Sequence, residues 1–494
     1  MTISIRRRAP VLALACFAPL AASASTACEH LLRQFGGALA DATCTDSADL
    51  TTTNPATTPA NDSIPGLPPF AFTPQTDRAT IAPSAGKRAP VTKVVPGLQL
   101  DGRIASDPTG QARFLLRLPR DWNGRLVVAG ASGTRSEFNG DFSWSDYVLQ
   151  KGYAYASQNK GVLNLQLSTA ADPLACRLNP VSPVYVDFYD DGPRQDFTRW
   201  TEFMLKAAQL ARQGVLSNYG RMPRFTYAVG TSNGGYQVRR AVETAPELFD
   251  GGVDWEGTFV DKHAPNLLTD LPAAVLNFAD YTAAGLDPNS TAAKNIRAAG
   301  YPPDIVASPT SSLWTNYWAQ FWEVTQCQWQ KRLDPTYDTY GPPPGSGTGT
   351  YNYVARLSAS DVGAQMKSFA TTGRIQRPLL TVAGTMDALL PIDHHARAYA
   401  RKVAAAQSAD GPRHDERDAP YRLYEVQNGN HIETFQDTFP QLALIEPHAH
   451  AAFDLLVAHV ETRAPLPASQ CVAKGGAIAQ NPAQPGHCTA LYAP

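Results

Sequence analysis

FTYAVGTSNGGYQVRR, residues 225–240, runs from a β-like segment through a glycine-rich turn into a helical one. Gly230-Thr231-Ser232-Asn233-Gly234 is a G-x-S-x-G pentapeptide, and at a strand-to-helix junction this pattern is a nucleophile elbow. The turn is so tight that the residues flanking the serine must be tiny. Gly230 and Gly234 meet that need, so Ser232 can hold a strained backbone with its hydroxyl exposed above a sheet. The helix that follows directs its first N–H groups at the same spot, where they favour a developing negative charge. The pentapeptide alone is weak, because it arises by chance. Its context makes it specific: the run before it is β-like, the run after it is helical, and Pro246 to Gly251 leads back to another strand. The competing reading is a glycine-rich turn without chemistry.

Outward from the elbow, strand-like runs recur on both sides. Val91–Leu100 and Ala112–Leu118 form a first pair. Arg125–Ala129, Tyr153–Gln158, Phe225–Val229, Gly252–Trp255, Leu379–Ala383 and Tyr421–Val426 follow. They are short, apolar and branched, as strands buried on both faces are. Helical runs fit between them at Asp146–Leu149, Phe197–Gln213 and His394–Ala406. This alternation predicts an α/β fold with a mostly parallel sheet covered on both faces.

Residues 258–370 are too long for a simple crossover and read as a lid or cap insertion. Within it Trp314, Tyr317, Trp318, Phe321 and Trp322 share one helical face. They either pack the insertion onto the sheet or line a pocket; Trp314, Trp318 and Trp322 are the pocket candidates. Residues 341–350 (GPPPGSGTGT) read as a loop.

With its G-x-S-x-G elbow and this element order, the chain from about 92 to 465 resembles the α/β-hydrolase superfamily. Ser232-Asn233-Gly234-Gly235 resembles the core of exported hydrolases of hydroxyalkanoate oligomers. The insertion and the paired terminal cysteines resemble the tannase and feruloyl-esterase group. Tannase-type enzymes carry disulfide-linked cysteines beside the nucleophile and the histidine; here those neighbours are Thr231, Asn430 and Ile432. The resemblance implies chain order serine, acid, histidine. His431, in the loop after Tyr421–Val426, is the expected base. His394, His395, His448 and His450 read as surface or helix-packing residues. Asp387, just after the strand Leu379–Ala383, is the expected acid, able to hold the second imidazole N–H. Asp254 is a competitor at an earlier strand, and Asp393 reads as a helix cap. Two backbone N–H groups should face the oxyanion: that of Asn233, and that of Ala131 or Ser132 in the loop after Arg125–Ala129.

Six cysteines remain beyond Cys16: Cys28, Cys44, Cys176, Cys327, Cys471 and Cys488. They allow 15 pairings; proximity favours Cys28–Cys44 and Cys471–Cys488, leaving Cys176–Cys327. Free buried thiols are the alternative. Arg6-Arg7-Arg8, an apolar run from Val11 to Ala24 and small residues near Ala27 read as an export signal. About 14 apolar residues are too few to span a bilayer. Disulfides suit the exported, periplasmic or secreted location that this implies. The expected organisation is 1–27 signal, 28–90 extended segment, 91–257 and 371–465 the two parts of the core, 258–370 insertion and 466–494 tail.

The net charge is −2 with no basic stripe, which argues against nucleic acid. No Cys-x-x-Cys spacing supports zinc, and acyl transfer by a serine triad needs no metal or organic cofactor. The expected partner is a small or oligomeric carboxylic ester. A peptidase of the same fold and a non-catalytic binding protein are the rival readings.

Overall fold

The computed structural model describes residues 26–60, 75–78, 80–187, 197–337, 350–409 and 419–494. Residues 1–25 of the expected signal, and 341–349 of the expected loop, lie outside them. Ten strands build one sheet: β1 (Leu39–Ser47), β2 (Gly97–Ile104), β3 (Arg113–Pro119), β4 (Arg125–Gly130), β5 (Ala154–Gln158), β6 (Phe225–Thr231), β7 (Gly251–Trp255), β8 (Leu379–Gly384), β9 (Tyr421–Val426) and β10 (Gln470–Val472). Their spatial order is β1-β2-β3-β5-β4-β6-β7-β8-β9-β10. The pairs β1/β2, β2/β3 and β3/β5 are antiparallel. Every pair from β5/β4 onward is parallel. The chain reverses its progress across the sheet between β4 and β6, and a crevice opens outside the carboxyl ends of strands at such a switch point. This is the α/β-hydrolase fold.

The strands read as continuous apolar runs because both faces are covered. In β4, Val127 and Ala129 enter one core with Trp144, Trp255 and Phe453, while Leu126 and Val128 enter the other with Met204, Val238 and Val403. Successive side chains of a strand point to opposite faces, so each core takes every second residue. The helices Thr198–Tyr219, Asn233–Thr244 and Ala396–Ala409 bury side chains in the second core; Glu446–Thr462 buries Phe453 and Leu456 in the first.

Strand β2 begins at Gly97 rather than near Val91. Pro96 has no N–H to give the ladder, and a Cβ at Gly97 would sit 2.2 Å from the Leu118 carbonyl oxygen. The edge strands β1 and β10 are not anticipated by the sequence reading. β1 is LADATCTDS, poor in apolar residues, and β10 has three residues. Disulfides tie both edges: Cys28–Cys44 joins helix Thr26–Phe35 to β1, and Cys471–Cys488 fastens β10. The third, Cys176–Cys327, links an excursion after β5 to the insertion. Proximity favours the first two of these pairs, and the third is the one they leave.

Between β7 and β8 the chain forms helices Leu267–Ala283, Thr291–Ala298, Tyr353–Ala359 and Val362–Ser368, and a long helical stretch from Leu313 to Leu333 with a π turn at Trp318–Trp322. None of the described helices is long and apolar enough to cross a membrane. Joint replacement of Cys28 and Cys44 by serine is expected to cost about 3 kcal/mol, the loop-closure contribution for a ring of this size. Urea unfolding of the oxidised protein and the variant checks it.

Candidate functional site

Ser232 stands between the end of β6 and the helix Asn233–Thr244, at φ 59° and ψ −123°. A non-glycine residue at such a φ is held by its surroundings. Here its N–H donates to the Trp255 carbonyl (2.9 Å), and its carbonyl accepts from Tyr236 (3.1 Å) and Thr258 (3.3 Å). The glycines have a direct steric cause. A Cβ at Gly230 would lie 2.4 Å from the Gly234 backbone, and one at Gly234 would lie 2.6 Å from the Gly130 carbonyl oxygen. A second close approach joins the loops after β8 and β9, where a Cβ at Gly384 would lie 2.3 Å from the Gly429 oxygen. Those loops carry Asp387 and His431.

The His431 Nδ1 is 2.8 Å from Asp387 Oδ2, and Asp387 Oδ1 accepts the N–H groups of Leu389 (2.8 Å) and Leu390 (2.7 Å). The carboxylate is thus fixed at both oxygens. His431 Nε2 is buried with no protein partner among the described residues. Ser232 and His431 line one narrow cavity, together with Thr80, Ile81, Ser132, Phe321 and Leu389. An adjoining one runs from Ser232 and Asn233 to Arg135, Leu267, Trp329 and Leu390. Burial disfavours the imidazolium, but the charge and hydrogen bond of Asp387 outweigh it and lift the His431 pKa above its ordinary 6.5.

Asp254 is not at this imidazole. It is buried against Arg239 (2.6 Å) and accepts from Thr381 Oγ1 and the Gly257 N–H. Asp393 pairs with Arg397 (3.0 Å). His394 and His395 face Asp270, and His450 bonds the Ser143 carbonyl (2.6 Å) with its pKa pushed down to about 4 by burial. The acidic group beside His431 that the sequence reading missed is Glu256, directly after β7: its Oε2 lies 3.4 Å from His431 Nδ1. Its signal in the sequence is its place at a strand's carboxyl end, two residues beyond Asp254. Glu256, Asp387 and His431 form a cluster with metal-ligand spacing, and Asp387 and His431 of that set are already joined by the short hydrogen bond.

The loop after β4 departs from expectation. The Ala131 N–H donates to Gln237 Oε1 (2.8 Å), and the Ser132 N–H to Asn139 Oδ1 (2.8 Å). Both are committed within the protein, so neither can face an oxyanion. Gly133 lines both cavities beside Ser232. The Ser132 carbonyl accepts from the buried Lys160 ammonium, and the Gly133 carbonyl from Arg135 Nη1 (2.6 Å). In a trans peptide the C=O and the next N–H point opposite ways. Lys160 therefore draws the Ser132 oxygen back and turns the Gly133 N–H the other way. Asn233 opens its helix, so its N–H has no intrahelical acceptor. Thr258 Oγ1 holds the Asn233 side chain at 2.9 Å.

The tryptophans proposed for the pocket line neither cavity. Trp314 and Trp322 are buried in the core, Trp322 Nε1 donating to the Ala388 carbonyl (2.7 Å), and Trp318 stacks on Phe278 at 4.8 Å. The π turn at Trp318–Trp322 adds a residue to the helical repeat, which turns the face; Phe321 and Trp329 reach the cavities instead.

Fold and site together combine the α/β-hydrolase fold with a serine, a histidine and an aspartate at the strand ends. Residues 348–490 match the model of the 3HB-oligomer hydrolase family. That match contains Asp387 and His431 but not Ser232. A D-(-)-3-hydroxybutyrate oligomer hydrolase of Burkholderia thailandensis is 32% identical over 131 residues, 25% of this chain and 17% of that protein; one of Burkholderia mallei is 30% identical over the same shares. The chain thus spans about a sixth of the length of these curated relatives. Among solved structures, feruloyl esterase B from Aspergillus oryzae superposes with a TM-score of 0.49 at 14% identity, covering 89% of this chain and 90% of that one. Tannin acyl hydrolase from Aspergillus niger gives 0.44 at 12%, covering 86% and 83%.

A fluorophosphonate reacts with a serine only while its histidine is neutral. Because the His431 pKa is raised, labelling of Ser232 should be full at alkaline pH and fall as pH drops through a midpoint above 6.5. Quantifying the labelled peptide across pH checks this.

Proposed function

We propose that this chain is an exported serine hydrolase of carboxylic esters, working through Ser232, His431 and Asp387 and an acyl-enzyme. The observation that carries the reading is the polarity of His431. Its Nδ1 is tied to a fixed carboxylate, while its Nε2 is unpaired on the cavity that Ser232 also lines. A serine hydroxyl needs a base for its proton, and an imidazole held in this tautomer supplies one. Ser232 Oγ attacks the ester carbonyl as its proton passes to Nε2. The tetrahedral oxyanion receives the N–H groups of Asn233 and Gly133. His431 then protonates the leaving alcohol, and water repeats the sequence to release the acid. Two such donors are each worth roughly 3–4 kcal/mol of transition-state stabilisation.

The proposed substrates are short 3-hydroxybutyrate oligomers. The support is the family match over residues 348–490, which takes in the acid and the base. The narrowness of the cavities at Ser232 and their apolar walls (Phe321, Leu389, Leu390) suit a small hydroxyacyl group better than a galloyl or feruloyl ring. Three disulfides support an oxidising compartment outside the cytoplasm.

The test is hydrolysis of 3-hydroxybutyrate dimer and trimer, a methyl ferulate, a methyl gallate and a peptide anilide, with Ser232→Ala run beside the native protein. Oligomers should be cleaved fastest, and the variant should lose about a million-fold in kcat, the scale seen when a triad serine is removed. Hydrolysis of the anilide alone would make the protein a peptidase; a preference for the aromatic esters would reassign the substrate.

A further inference from the structure

Glu256 faces the triad from the end of β7, a strand end the mechanism does not use. Its backbone is at φ 53°, a left-handed conformation for a non-glycine residue. Strain of this kind persists where the surroundings enforce it. Here the Glu256 N–H donates to Val382 O (2.9 Å), and Oε1 accepts the Gly384 N–H (2.9 Å) at the root of the Asp387 loop. The other oxygen, Oε2, is buried with no hydrogen-bond partner, 3.4 Å from His431 Nδ1. One ligand-type atom from each of Glu256, Asp387 and His431 falls within 4.8 Å of the others. A glutamine would serve the Gly384 N–H as well as a glutamate does. What a glutamine could not do is carry charge against the imidazole.

Two carboxyls this close cannot both ionise freely. Burial foremost, then the Asp387 charge, pushes the Glu256 carboxyl well above the usual range. Asp387, at 2.8 Å and with two backbone donors on its other oxygen, is the carboxyl that the imidazole bonds.

We propose that Glu256 is a second acid behind His431, a positioning residue that can take over from Asp387 the one negative charge facing Nδ1. This rests on the serine-hydrolase reading above. In the native protein Glu256 keeps its proton while the Nδ1–H stays on Asp387. When Asp387 cannot hold charge, Glu256 releases its proton to solvent and its carboxylate accepts the Nδ1–H. The Ser232 proton still passes to Nε2, and no other group gains or loses a proton.

The test is a double-mutant cycle on kcat with Asp387→Asn, Glu256→Gln and the pair, using the fastest substrate of the panel. Asp387→Asn retains an acceptor for the Leu389 and Leu390 N–H groups. It is expected to lose roughly 100-fold, less than the roughly 10,000-fold that follows when a triad acid is lost without a substitute. Glu256→Gln should cost under about tenfold alone and roughly 100-fold in the Asp387→Asn background, with KM little changed. An equal cost in both backgrounds would make Glu256 merely structural and overturn the proposal. Should Asp387→Asn not fold, the infrared difference spectrum between the native protein and Glu256→Gln at neutral pH decides. A protonated-carboxyl C=O band that the variant lacks supports the proposal, and no such band overturns it. Ser232→Ala in parallel separates the two ideas, because activity surviving that change would defeat the hydrolase reading itself.

Discussion

Backbone approaching backbone more closely than any side chain allows is the constraint on which this site depends. Gly130, Gly230 and Gly234 bring the end of β4, the end of β6 and the first turn of the helix Asn233–Thr244 into contact. Gly384 and Gly429 do the same for the loops after β8 and β9. A parallel sheet delivers its strand ends to one edge, but at the ordinary strand spacing of about 4.8 Å. The chemistry needs atoms within hydrogen-bond reach. Glycine removes the Cβ atoms that would hold these segments apart, and Ser232 and His431 then line one cavity, with Asp387 bonded behind the imidazole.

The remaining precision comes from hydrogen bonds around that contact. Gln237, five residues beyond Ser232, takes the Ala131 N–H, while Asn139 takes that of Ser132. Lys160 holds the Ser132 carbonyl from behind, its ammonium over the Trp200 ring at 4.3 Å. Burial, reinforced by the charge of Arg135, depresses the Lys160 pKa well below its ordinary value. The loop is therefore set before substrate arrives, and preorganised donors cost no reorganisation when charge develops. The segment between β1 and β2 also takes part. Thr80 and Ile81 form a wall of the cavity, and the Thr434 N–H bonds the Thr80 carbonyl at 3.3 Å.

The central strands were legible in the sequence because burial on both faces makes them apolar and short, and the elbow was legible because its glycines are dictated by contact. That Asp387 and His431 meet follows from their places after the last two long strands. The hydrogen bonds of the loop after β4 were not legible: the Ala131 and Ser132 backbone is held by Gln237, Asn139 and Lys160, which are 7 to 106 residues away in the chain. Glu256 was hidden for a similar reason. Asp254 and Glu256 both lie at the end of β7, and only the buried Arg239 beneath the sheet decides which of them is free to turn to the imidazole. The aromatic residues between β7 and β8 repeat in the sequence with an α-helical period, and the π turn at Trp318–Trp322 breaks that period. Edge strands β1 and β10 carry too little apolar pattern to announce themselves, and their attachment rests partly on disulfides.

The central claim is that Ser232 is acylated during turnover, and intact-protein mass spectrometry with peptide mapping tests it most directly. The native protein, mixed with a chromogenic short-chain ester and quenched in acid within the first turnovers, should carry the acyl mass on the peptide containing Ser232, matched by a burst of released alcohol. Turnover with no covalent increment, or an increment mapped to another residue, would contradict the account.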